Sequence, residues 1–367
     1  MSRVAIVGGG VVGAAIAYEL SLCADCAVTL LEREQPAKGS TGAALGVLMG
    51  AISRKTRGRA WELRQASLHR YDSLIDELQA LTSRVIPYNR QGIVLLHFAS
   101  GADWPQWQKL QAQRQAAGWP LVRWSRSLLQ SHCPQLDLDR HDIDGAIYSP
   151  CDRQVDPVIL TEALLAGAQQ NGAECHFGAE VQEIISQPGQ TGQRVSQIEI
   201  GSQSFSCDWL VIAAGLGSLP LTRHLQQPLA LQPVLGQALQ VKLPTLLGVP
   251  EFQPVLSGDD IHLVPLGGGH YWVGATVEFP DASGQVAASP EQLEVVWQRA
   301  IAFYPALATA EIVRQWSGQR PRPDGQGAPV ISPLAGYENV WLATGHYRNG
   351  VLLAPATALA IRAAIAS

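Results

Sequence analysis

The sequence predicts an α/β fold in which a parallel-sheet, Rossmann-like domain is interleaved with a second domain built on an antiparallel sheet. Three observations lead there: a glycine-rich strand–helix–strand unit near residue 1, a strand–glycine–helix block near the other end, and a central stretch crowded with short strands. At 367 residues the chain fits two domains or one large interleaved one.

An apolar run at residues 4–7 is followed by Gly8-Gly9-Gly10-Val11-Val12-Gly13, a helical stretch, a second apolar run at 27–31, and Glu32. In this G-x-G-x-x-G spacing Gly8 permits the tight turn, Gly10 lets the backbone approach a pyrophosphate, and Gly13 lets helix and strand pack closely. Glu32 follows Gly13 by nineteen residues, at the end of the second strand, where a carboxylate accepts from both ribose hydroxyls of an adenosine. A 2′-phosphate would meet like charge there, which disfavours NADP unless Arg33 intervenes. A signal peptide over the same stretch is excluded by its single basic residue Arg3, by the glycines inside it, by Glu19, and by the lack of a small-residue cleavage site.

Residues 38–48 are rich in small side chains and set Ser40 and Thr41 ahead of an apolar segment read as helical, which suits a phosphate at a helix N-terminus or an ordinary hydroxyl cap. Arg54, Lys55, Arg57 and Arg59 form a solvated face or begin a long amphipathic helix running to about residue 83. Residues 91–98 read as a strand, 104–117 as a helix, and 157–171 as a helix that starts on Asp156-Pro157. Short strands at 181–186, 194–200 and 204–207 suggest a meander, and 209–215 a buried strand ending in a small-residue turn. Residues 231–243, 262–265 and 271–277 are strand-like with little connecting helix, which places the antiparallel sheet here. The final block is a strand at 339–345 and a helix at 351–366. With Pro355, Arg362 and sixteen residues, that helix falls short of the roughly 20 needed for a membrane span. The boundaries drawn from this pattern are 1–85, 150–222 and 325–367 for the nucleotide-binding domain, and 86–149 and 223–324 for the substrate domain.

A net charge of −5 without a long basic run argues against a nucleic-acid partner. Six scattered cysteines and no secretory signal point to reduced thiols and a cytoplasmic location. Cys23 and Cys26 have C-x-x-C spacing, but they fall between the first helix and second strand and no second pair completes a zinc site, so no metal is expected.

The run Gly345-His346-Tyr347-Arg348-Asn349-Gly350-Val351-Leu352-Leu353-Ala354-Pro355-Ala356-Thr357 closely resembles the D-amino-acid-oxidase superfamily of flavoproteins, and within it the glycine oxidases of thiamine biosynthesis. The resemblance extends over nearly the whole chain, through the glycine fingerprint, Ser40-Thr41 with Leu45-Gly46-Val47, the strand beginning at Val181, Val273-Gly274-Ala275-Thr276, Arg320-Pro321 and Asp324-Gly325. It implies a glutathione-reductase-like FAD fold, with FAD rather than NAD as cofactor. By position it sets Glu32 and Arg33 at the adenosine, Ser40 and Thr41 at the phosphates, Val181 at the adenine edge through its backbone, and His346, Tyr347, Arg348, Asn349, Gly350, Val351 and Leu352 at the flavin ring. Gly8, Gly10, Val11, Val12, Gly13, Leu45, Gly46, Val47 and Gly215 complete the cofactor-binding set.

Arg320 and Arg348 match the family's substrate side. A carboxylate held over a flavin wants a fixed bidentate cation, which Arg supplies and Lys does not, although each arginine also has the simpler alternative of pairing with an acid in the fold. Glycine oxidases place a tyrosine in the strand equivalent to Ile261-His262-Leu263-Val264-Pro265, and here His262 stands instead. Its imidazole would either hydrogen-bond the carboxylate, with a charge near neutral pH that alters substrate preference, or point into the core. The implied substrate is a small amine bearing a carboxylate, glycine or sarcosine first. Its neutral amine would be held with the α C–H towards the flavin, which carries the electronic burden and needs no side-chain base. Electrons would pass to oxygen, giving peroxide. The alternatives are a dehydrogenase feeding a quinone or other carrier, and a flavin-binding assembly or regulatory subunit without turnover. Homo-oligomerisation stays open.

Overall fold

In the computed structural model, which describes residues 1–99, 103–139 and 142–366, the apolar runs assemble into two large sheets. The first has six strands in the order Val330–Pro333, Val340–Thr344, Trp209–Ile212, Ser2–Val7, Cys26–Glu32, Glu174–Phe177. All pairings are parallel except that of Val330–Pro333 with Val340–Thr344 at the edge. Alternate residues of a strand face opposite sides, so a central strand that is apolar throughout needs cover on both. Val4 and Ile6 enter a core shared with the helices Val11–Ser21, Arg59–Thr82, Pro157–Gln170 and Gly350–Ile365. Ala5 and Val7 enter a second core with the meander Glu183–Pro188, Gln193–Ile200, Gln203–Ser206. Asn339 ties this meander to the sheet. Its side chain accepts from the Val195 N–H at 2.9 Å and donates to the carbonyls of Val195 and Asp208 at 2.7 and 2.8 Å.

The second sheet has eight strands in the order Glu311–Pro323, Leu231–Lys242, His270–Gly274, Ile261–Gly267, Val255–Gly258, Ile93–Phe98, Ile143–Ser149, Val122–Ser125. They are antiparallel except where Val255–Gly258 lies beside Ile93–Phe98. Helix Pro290–Phe303 packs its apolar face on this sheet. The strand-rich reading of this region missed that helix, although its start is written in the sequence. Ser289 caps it, accepting from the Gln292 N–H at 3.2 Å, and Pro290 takes the first turn. Also unforeseen is Glu311–Pro323, which holds Pro321 and Pro323. Its place at the sheet edge explains why the prolines are tolerated.

The helices expected at 104–117, 157–171 and 351–366 form as Trp104–Ala116, Pro157–Gln170 and Gly350–Ile365. Two expectations need correction. No helix follows Ser40-Thr41: turns lead through Ala43 to a two-residue strand, Val47–Leu48. Gly46 adopts φ +69°, where a Cβ would lie 1.8 Å from the Val155 carbonyl oxygen, so the chain passes too close to its neighbour for helix to continue. The long helix begins at Arg59, because Gly58 at φ +64° breaks the chain direction after Arg54, Lys55 and Arg57. Among the described residues no helix is long and apolar enough to cross a membrane.

Candidate active site

A cavity of about 1330 Å³ is lined by both sheets and runs from Gly8, Gly10, Glu32 and Arg33 at one end to His262, Arg320 and Arg348 at the other. Backbone forms its glycine-rich end. Gly8 has φ +119°, and a Cβ there would sit 2.6 Å from the Ala213 carbonyl oxygen. A Cβ on Gly13 would sit 1.9 Å from the Gly8 carbonyl oxygen, so Gly13 lies under the loop rather than on the cavity wall. Gly10 precedes the helix Val11–Ser21, whose first N–H donates to the Thr41 hydroxyl at 3.1 Å. Glu32 accepts from the N–H groups of Gly9 at 2.6 Å and Glu34 at 3.0 Å, which fixes its carboxylate beside the loop.

Val11, Val12, Ser40, Thr41, Leu45, Gly46, Val47, Val181 and Gly215 all reach the same cavity. The Ser40 hydroxyl donates to the Gln319 carbonyl at 2.6 Å and the Trp316 indole to that of Ala43 at 3.2 Å, which moors the small-residue segment to the edge strand. From the last block, His346, Tyr347, Arg348, Gly350, Val351 and Leu352 line the cavity. Asn349 does not, and its side-chain oxygen faces the buried Arg64 guanidinium at 3.4 Å.

At the other end Arg320 is half-buried, and desolvation lowers its pKa, with Arg348 adding to the effect. Its Nη1 donates to the carbonyls of Leu235 and Thr276, both at 3.1 Å, and among the described residues no partner meets Nε or Nη2. Arg348 is exposed, with the exposed Asp260 carboxylate 3.9 Å away. Among the described residues Arg320 forms no ion pair, and Arg348 meets its acid only at that distance.

His262 joins the cavity wall rather than the core, its Nδ1 2.9 Å from the Ser257 hydroxyl. The expected charge near neutral pH is corrected: burial, then Arg348, push its pKa down to about 4, against Asp260. Burial does the same to His346, also to about 4. The Thr357 hydroxyl donates to the Leu353 carbonyl at 2.7 Å, so it accepts from His346 Nε2 at 2.9 Å and leaves Nδ1 unprotonated. An unfolded histidine titrates near 6.5, so as pH falls from there towards 4 the unfolded chain binds protons that the folded chain refuses, and stability drops; above that window it is unaffected. For the fully enclosed His346 the loss amounts to at most roughly 3 kcal/mol. Thermal melts should be level above pH 7 and fall below 6.5, and His346→Gln should fall less steeply. Equal slopes for the two proteins would count against this.

Several structural residues carried no sequence signal, one of them at the site. Gly236 leaves room for Arg320, since a Cβ there would lie 2.1 Å from its Nη2. The fully buried Asp152 accepts from the N–H groups of Gly50, Ala51 and Ile52 at 2.7, 2.8 and 2.8 Å. Arg114, buried on helix Trp104–Ala116, donates to the carbonyls of Ala51, Ser53 and Lys55 at 2.7, 2.8 and 2.6 Å. Asp152 holds the N–H groups and Arg114 the carbonyls of residues 50–55, the stretch leading into the basic segment. None of Arg54, Lys55, Arg57 and Arg59 lines the cavity.

The model of the family described as DAO, FAD dependent oxidoreductase, matches residues 3–364. The chain belongs to this family of FAD-dependent oxidoreductases. It is similar to the bifunctional protein ThiO/ThiG of Synechocystis sp., 33% identical over 365 residues, covering 98% of this chain and 51% of that protein. It thus spans about half the length of the bifunctional relatives it matches. The glycine oxidase of Geobacillus kaustophilus is 29% identical over 361 residues, covering 98% of this chain and 91% of its own. A crystal structure of glycine oxidase from that organism superposes with a TM-score of 0.84 at 27% identity, covering 98% of this chain and 94% of the other.

The residues present fit FAD: a side-chain-free loop at a helix start, an acid at the end of the second strand, and one continuous cavity beyond them. Among the described residues no cysteine lines that cavity, while the glycine loop and Glu32 that would grip the nucleotide are intact. FAD should therefore be held noncovalently. Acid precipitation should leave all flavin absorbance in the supernatant, and a yellow pellet would refute this.

Proposed function

We propose that this chain oxidises a small amino acid or secondary amine bearing a carboxylate to its imine, with glycine and sarcosine the leading substrates and oxygen the acceptor, yielding hydrogen peroxide. The observation that carries the reading is Arg320, a half-buried guanidinium with one nitrogen held by two carbonyls and the rest unclaimed, in the same cavity as the glycine loop. The similarity to glycine oxidases along nearly the whole chain supports it.

Bound FAD supplies the two-electron acceptor. The chain's own residues bind and orient. Arg320 takes the carboxylate through Nε and Nη2, Arg348 adds a second cation, and neutral His262, anchored to Ser257, offers its other ring nitrogen. The acids lining the cavity are Glu32, Glu34, Glu162, Glu180 and Glu183, none from the segments that carry Arg320, Arg348 and His262. Two guanidiniums at this end of the cavity, against the single exposed Asp260 carboxylate 3.9 Å from Arg348, favour the neutral amine, the form that can give up hydride. In this reading Glu32 and Arg33 meet the adenosine, Ser40 and Thr41 the phosphates, Val181 the adenine edge, and the stretch from His346 to Leu352 the ring. Residues 1–85, 150–222 and 325–367 form the FAD-binding domain, and 86–149 and 223–324 the substrate domain. All six cysteines are free thiols, in keeping with a cytoplasmic protein.

The test is anaerobic titration with glycine, sarcosine, D-alanine and D-proline, followed by air. Bleaching of the flavin and then peroxide is the expected result. Bleaching without peroxide points to another carrier, and no bleaching with any of the four ends the enzymatic reading.

A further inference from the structure

Behind Arg320 lies a buried polar cluster that the reaction described above does not use. The guanidinium rests flat on the backbone at Gly236 and is aimed by two carbonyl oxygens, those of Leu235 and Thr276, each 3.1 Å from Nη1. Glu278 governs the position of both. Its main chain exchanges hydrogen bonds with Leu235 in each direction at 2.9 Å. Its carboxylate accepts from the Thr276 hydroxyl, from Gln237 Nε2 at 2.8 Å and from the Ser289 N–H at 2.8 Å. The Thr276 hydroxyl in turn accepts from the Gln237 N–H at 2.8 Å. Thr276, Gln237 and Glu278 are only 3%, 7% and 8% exposed. No cation forms an ion pair with Glu278 among the described residues. It holds backbone and neutral side chains, and the charge it supports at a distance is that of Arg320.

We infer that Glu278 is a positioning residue for carboxylate recognition: through Thr276 and Leu235 it fixes the two carbonyls that hold Nη1 and so aims Nε and Nη2 into the cavity. The inference rests on Arg320 being the carboxylate anchor. Two opposed effects decide the sign of its test. As a negative charge Glu278 repels an incoming carboxylate, so removing that charge alone would tighten binding. As a support it keeps a two-point fork in register, and losing register weakens binding. No hydrogen bond joins the carboxylate to Arg320 except by way of Thr276 or the Glu278 main chain, so its charge acts at a remove while the loss of alignment acts at the fork itself.

The probe is acetate, titrated against the FAD-bound protein and followed by the flavin absorbance. Glu278→Gln and Thr276→Val, which removes the connecting hydroxyl, should each weaken acetate binding roughly tenfold, the scale of one net hydrogen bond. Thr276→Ser should restore wild-type affinity. With a reducing amino acid, half-saturation should rise by a similar factor while the limiting rate of flavin reduction stays within about twofold. Unchanged or tighter acetate binding in folded, FAD-replete Glu278→Gln overturns the inference. If that variant does not fold, unchanged binding in Thr276→Val does so. Should wild type bind acetate while no amino acid bleaches its flavin, the proposed reaction falls and the acetate arm still judges Glu278. Should wild type bind no acetate, both fall.

Discussion

Arg320→Leu should lower the second-order rate of flavin reduction by an amino acid about one and a half decades or more while leaving FAD bound. Truncating one partner of a desolvated charge pair typically costs ~2 to 5 kcal/mol, much of it from leaving the other charge unpaired, or roughly thirtyfold to several thousandfold. Here the abandoned partner is the substrate carboxylate, in a cavity where burial already lowers the guanidinium's pKa. The protein itself loses less. The Leu235 carbonyl keeps the Glu278 N–H as donor, and a leucine can fill part of the vacated space. Arg348→Leu should cost less, because that side chain is exposed and screened, with Asp260 3.9 Å away. Stopped-flow reduction with flavin content measured in parallel separates the cases. A lost rate with full flavin supports the anchor, and lost flavin would assign Arg320 to the fold. An unchanged rate would refute carboxylate recognition at this residue.

What could be read in advance divides by sequence distance. The nucleotide end is local: Gly8, Gly10, Gly13 and Glu32 belong to one strand–helix–strand unit, and each constraint on them, a positive φ, a 1.9 Å approach, a strand-end carboxylate, is imposed by neighbours in that unit or its adjoining strand. Arg320, Arg348 and His262 were legible only through resemblance, and all three reach the cavity. The support behind them was not legible. Leu235, Gly236, Thr276, Glu278 and Arg320 meet by antiparallel pairing of strands far apart in sequence, Val234 opposite Arg320, and no spacing rule joins them. Asp152 and Arg114 were invisible for a related reason. Each caps the backbone of residues 50–55 from more than fifty positions away, and a buried arginine on a polar helix looks like any solvated one. The segment after Thr41 misled because its alanines and leucine favour helix, while a close backbone contact at Gly46 overrides that preference. His262 misled through its surroundings, since burial first and the neighbouring arginines second, rather than its own chemistry, keep it neutral.

Gly13→Ala should yield a folded but largely flavin-free protein. In an exposed helix interior the change would favour helix by about 1 kcal/mol, so propensity alone predicts stabilisation. Contact distance reverses it. The new methyl would sit 1.9 Å from the Gly8 carbonyl oxygen and 3.5 Å from the Ala213 side chain, and the first of these is far inside van der Waals contact. Helix Val11–Ser21 and the Gly8 turn must then separate. The helix is buried on nearly every side, so it cannot simply slide away, and the strain falls on the loop. Overpacking of this kind costs typically ~1 to 3 kcal/mol. A vacant loop relieves part of it by shifting, whereas a loop closed on a pyrophosphate cannot, so most of the cost appears as lost FAD affinity, about tenfold to a hundredfold. Gly327→Ala is the control, since a Cβ there meets no atom within 4 Å, and it should keep wild-type flavin content. Flavin-to-protein absorbance ratios after gel filtration decide the matter. Full occupancy in Gly13→Ala, with Gly327→Ala also full, would mean that the close approach of helix to turn is not what the cofactor needs.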